Sequence, residues 1–142
     1  MFKTPTELKI TPREHAALIK VMGWLKDGSL RGGDDGQFDM SQICEVSICG
    51  TVACIGGWVF LARQGIAVGA GALDDGTIDR ADKYVSSDRS PALKNLYYPE
   101  DRRWAWEAIT ASEAATAIAN FLATGYPSWS SVVAERTGGK DA

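Results

Sequence analysis

Between Thr11 and Gly28 the apolar residues recur at helical spacing. Leu18, Ile19, Met22 and Leu25 share one stripe, and Ala17, Val21 and Trp24 widen it into a face buried on two sides. Thr11-Pro12-Arg13-Glu14 writes the start as a capping box with proline at the first helical position, and Gly28 writes the stop, so a helix is predicted over 11–26. Residues 27–36 are a Gly/Asp-rich loop that brings Phe38 and Met40 to the entry of the next segment. The alternation over 43–48 fits a short strand or an extended approach. Gly50-Thr51 then introduces a helix over 52–63, with Gly65 as its stop. Gly56 and Gly57 each cost that helix about 1 kcal/mol relative to alanine, which points to close helix contact or a bend.

Downstream, a Gly-rich and then Asp-rich stretch precedes a short helix over 79–85, and Ser90-Pro91 starts another turn or two that Pro99 ends. Thr110-Ala111-Ser112-Glu113 is a second capping box. It opens a helix whose Ala114, Ala115, Ile118, Phe121 and Leu122 form a regular apolar face, closed by Gly125 and Pro127. Ser128 is placed as the cap of a last short helix carrying Trp129, Val132 and Val133. The fold class that follows is mainly α: a compact single-domain helical bundle of five to six helices over 1–136, with a frayed tail over 137–142. The helix through 51–63 is expected to be central, flanked by the Thr11 and Thr110 helices. A small β element can form near 43–48 or 66–78.

Composition narrows the function classes. The chain has 142 residues, 45% of them hydrophobic and 23% charged, which is the profile of a soluble globular protein able to bury roughly 68–70% of its unfolded surface. Its net charge of −3 leaves no broad basic surface for phosphates, so nucleic acid is a poor partner. The one concentrated basic feature is Arg102-Arg103 beside Trp104 and Trp106. The N-terminal residues lack the apolar core of a secretory signal, so a cytoplasmic location with free thiols is expected. The longest apolar run, over 51–62, falls short of the ~20 residues needed to cross a bilayer.

The unusual chemistry is sulfur: Cys44, Cys49 and Cys54. Zinc sites use closer pairs, and His15, the only histidine, lies on another helix. A redox reading would place Cys49 before a helix start and Cys54 one turn inside, where the helix dipole lowers the thiol pKa of Cys49. A Cys-His catalytic pair would need His15. The expected role is packing as small apolar side chains, unless the fold brings His15, Asp39 or Glu45 beside a cysteine. Asp74-Asp75-Gly76-Thr77-Ile78-Asp79 imitates half of a calcium loop, but the leading ligand positions are absent, so turn plus helix cap is the better reading. No phosphate loop, dinucleotide fingerprint or serine elbow occurs. No catalytic, cofactor or metal residue is assigned. Most of Trp24, Trp58, Trp104, Trp106 and Trp129 should be core, each needing a partner for its indole N–H.

The order Phe38-Asp39-Met40, Cys49-Gly50-Thr51-x-Ala53-Cys54-Ile55-x-Gly57-Trp58, Leu96-Tyr97-Tyr98-Pro99 and Ile109-Thr110 with Glu113-Ala114-Ala115 and Ile118-x-Asn120-Phe121 resembles a group of small uncharacterised proteins of bacterial and phage genomes. The resemblance implies one intact domain and adds no substrate, cofactor or catalytic residue. The function expected is therefore a non-enzymatic binding or accessory protein acting through a protein-interaction surface, with Tyr97, Tyr98, Arg102, Arg103, Trp104 and Trp106 as the candidate residues. The alternative is a thiol-based redox or metal-responsive protein using Cys49 with Cys44 or Cys54.

Overall fold

The computed structural model describes residues 2–31, 37–40, 44–47, 50–66, 74–87, 91–99 and 109–137; over 44–47, 50–52, 92 and 134–137 it describes the backbone alone. Among these residues the fold is mainly helical. Seven helices, α1 (Pro5–Leu8), α2 (Pro12–Asp27), α3 (Ile55–Arg63), α4 (Asp75–Ser86), α5 (Pro91–Tyr97), α6 (Ala111–Thr124) and α7 (Trp129–Thr137), accompany one antiparallel pair, β1 (Cys44–Ser47) and β2 (Gly50–Ala53).

The chain begins with the same four-residue device used twice. Thr4-Pro5-Thr6-Glu7 starts α1 and Thr11-Pro12-Arg13-Glu14 starts α2. In each, the threonine hydroxyl accepts from the glutamate N–H while the glutamate carboxylate accepts from the threonine N–H. The first box adds a helix that the sequence reading omitted, because one turn is too short to show a period. Between the two, Lys9 caps α1 in the left-handed region at φ 58°. Gly28 at φ 87° ends α2, and Gly125 at φ 92° ends α6, each where an L side chain would be strained.

Two boundaries differ from expectation. Residues 50–53 are extended, not helical. β2 pairs Ala53 with Cys44, and on its other side the Ala53 N–H and C=O bond Gln37 O and Asp39 N, both at 3.0 Å, so the segment's backbone is satisfied as strand before a helix can begin. Cys54 is then the N-cap of α3, its sulfur accepting from Gly57 N at 3.5 Å, rather than a residue one turn inside the helix. The second difference is α4, which starts a turn early because Asp74 accepts from Thr77 N at 2.6 Å and caps it.

The core is one contiguous cluster to which α2, α3 and α6 contribute about half of the buried residues. α2 packs extensively on both α3 and α6, so α2, and not α3 as expected, occupies the position between the two. α3 is enclosed instead by α2, α4, α5 and β2, and residues 55–61 are all buried. A Cβ on Gly56 would lie 3.0 Å from Val85 Cγ2 and 3.1 Å from Tyr97 Cγ, which accounts for glycine at that helix contact. Ile19, expected on the buried stripe, is 39% exposed at the edge of the α2 face. Ser128 precedes α7 with its own φ at 57° and its carbonyl bonding Ser131 N and Val132 N. Among the described residues no helix is long and apolar enough to cross a membrane. The tail from 138 lies outside the described residues.

Candidate functional site

The cysteines do not form a site that the described residues reveal. Cys54 is 2% exposed and serves as the α3 cap. Cys44 lies in β1 opposite Ala53, described in backbone only, and Cys49 lies outside the described residues. Among the described residues no three His, Cys, Asp or Glu side chains gather as metal ligands. His15 Nε2 is instead 2.9 Å from the Lys3 carbonyl, tying the N-terminal strap to α2.

The aromatic contact surface expected around residues 97–106 is corrected at its first member. Tyr97 is 1% exposed, with its ring against Gly56 and its hydroxyl 2.6 Å from that of Tyr84. Tyr98 is half-buried. Arg102, Arg103, Trp104 and Trp106 lie outside the described residues. Trp58 and Trp129 are core residues whose indole N–H groups donate to Gln37 O at 2.8 Å and Asn95 O at 2.9 Å. Asp74 is a helix cap, and its carboxyl is held below the usual aspartate value by the Thr77 backbone and side-chain hydrogen bonds.

Two arrangements were not read from sequence. The first is a buried polar chain. Glu14, only 3% exposed, uses Oε1 to close its capping box on Thr11 N at 2.9 Å, and its Oε2 accepts from Tyr84 OH at 2.6 Å. Tyr84 has one hydroxyl hydrogen, already given to Glu14, so Tyr97 is the donor in the tyrosine pair. The Arg63 guanidinium lies over the Tyr84 ring, 4.9 Å from its centroid. Residues 14, 63, 84 and 97 thereby join α2, α3, α4 and α5 through polar contacts. A polar group taken out of water is tolerated because hydrogen bonds meet it. No spacing rule connects positions 70 residues apart, so the signal is tertiary.

The second is a surface groove of about 440 Å3 lined by Lys3, Glu7, Leu8, Lys9, Pro91, Thr124, Gly125 and Tyr126. It lies where α1 meets the start of α5 and the end of α6. Lys3 is anchored by its backbone, its N–H donating to Leu122 O at 2.7 Å. Glu7 Oε1 faces back to Thr4, accepting from N at 2.9 Å and lying 3.1 Å from Oγ1; these bonds, the backbone one foremost, hold its carboxyl below the usual glutamate value. Tyr126 is 63% exposed, yet its backbone is fixed. Thr124 Oγ1 accepts from Tyr126 N at 3.2 Å, with its hydrogen in reach of Asn120 O, and Asn120 Nδ2 donates to Pro127 O at 3.0 Å. The signal for it in the sequence is Tyr126 itself, an aromatic residue between a helix-ending glycine and a proline.

No protein family, curated protein or solved structure shows a match to this chain.

Proposed function

We propose that the chain is a non-enzymatic binding or accessory protein of the cytoplasm, one that acts by presenting a surface to another protein. The observation that carries this reading is Tyr126, an aromatic ring open to solvent on a loop whose backbone bonds are already made. Tyrosine held in this way offers large contact area with little conformational entropy left to lose on binding. The groove beside it lies in the size range of ligand sites. The titratable groups with described partners are engaged in holding the fold, as in Glu14 with Tyr84 and the caps at Glu7, Asp74 and Glu113.

A photo-cross-linking residue placed at position 126, with the exposed Lys26 as control position, tests the reading in extracts of the producing cell. The expected result is discrete protein adducts at 126 that are absent at 26. Equal adduct patterns at the two positions overturn it.

A further inference from the structure

We propose that the groove between α1, α5 and α6 takes an extended acidic peptide segment, its carboxylates met by Lys3 and Lys9 and an apolar side chain by Tyr126 and Pro91. This rests on the reading of the chain as a binding protein and names the class of partner.

Charge complementarity points to that occupant. The chain as a whole is acidic, with net charge −3, yet among the described residues the groove wall carries two lysines against one carboxylate. That carboxylate, Glu7, is turned back on the Thr4 cap. A long polyanion would feel the charge of the whole molecule. A short acidic segment seated in the groove feels mainly the charges within a Debye length of about 8–10 Å. The groove is partly open to solvent, and Tyr126 and Pro91 supply apolar faces of the kind that hold extended peptides.

Lys9 supplies an independent observation. It occupies the left-handed cap of α1 at φ 58°, where glycine is the unstrained choice, so the position carries an ammonium group at the groove rim at the expense of local backbone comfort.

The test is selection of a random twelve-residue peptide library on the full-length protein, repeated on Lys3→Glu/Lys9→Glu, Lys9→Gly and Tyr126→Ala variants whose melting temperatures are measured in parallel. The expected result is enrichment of Asp and Glu next to an apolar residue. Affinity of the selected peptides should fall with added salt, about tenfold or more in the double variant and about threefold in Lys9→Gly. Lys9→Gly should meanwhile melt no lower than the parent, which separates loss of binding from loss of fold. Enriched peptides that need Tyr126 but are neutral or basic, or that bind the double variant equally well, overturn the acidic assignment and leave the binding reading standing. No enrichment dependent on Tyr126 overturns this groove as the peptide site; the adducts at position 126 then decide the broader reading separately.

Discussion

At Gly56 the space for one methyl group is already taken by Val85 and Tyr97. Alanine there gains about 1 kcal/mol of helix propensity but must displace a buried aromatic ring and a β-branched side chain, for which overpacking costs about 1–3 kcal/mol. Gly56→Ala should therefore lower stability by about 1 kcal/mol, measured by urea unfolding. Tyr97 also carries the hydroxyl that meets Tyr84 in the polar chain from Glu14. Tyr84→Phe withdraws the hydrogen that Glu14 Oε2 accepts and the oxygen that Tyr97 donates to, two buried bonds at 2.6 Å. A loss of about 2 kcal/mol is expected. Tyr97→Phe should cost less, because it leaves the Tyr84 bond to Glu14 in place. A double-mutant cycle between the two tyrosines should give a coupling of about 1 kcal/mol. Additivity would mean that the chain is not cooperative.

At the scale of elements, helix ends hold ionisable groups whose titration shapes acid stability. Glu7, Asp27 and Asp74 each accept hydrogen bonds that lower their folded pKa below ordinary values of 4.5 for the glutamate and 3.8 for the aspartates. The unfolded chain then takes up these protons first as pH falls. Their contribution is fully present above the unfolded values and is lost as pH drops through the lower folded ones. Asp74→Asn keeps an N-cap acceptor but removes the titration, so its melting temperature should fall less between pH 6 and pH 3 than that of the parent, about these carboxylate values. A parallel decline in the two proteins would contradict the assignment. Thr110→Ala should cost about 1 kcal/mol at neutral pH by removing the α6 cap. These caps were largely legible in the sequence: Thr11-Glu14 and Thr110-Glu113 sit where local chemistry alone dictates a helix start. The start of α3 was not, since Gly50-Thr51 looks like a cap and Cys54 does not. Only the pairing of Ala53 with Cys44 and its bonds to residues 37 and 39 reveal a strand there. The groove was illegible for a related reason: residues 3, 91 and 126 become neighbours only once α1 docks beside α6.

For the whole molecule, α2 decides the assembly, because it touches α1, α3 and α6 and contributes Glu14 to the buried polar chain. Cys54 lies beneath this arrangement and should be inert toward alkylation until the entire core opens. In a Cys44→Ser/Cys49→Ser variant, thiol labelling of the remaining cysteine should track global unfolding across a urea series. Rapid labelling of the native protein would place Cys54 in a locally opening unit and revive a thiol-based activity. The α2–α3 interface also carries its own optical gauge. Trp24 and Trp58 meet edge to face across it, 6.0 Å between ring centres and inclined at 80°. Two indoles fixed so close and so nearly crossed couple their electronic transitions. Separation of the two helices should thus be visible as loss of an exciton couplet in circular dichroism, with Trp24→Phe as the blank, and no dye need be attached to follow it.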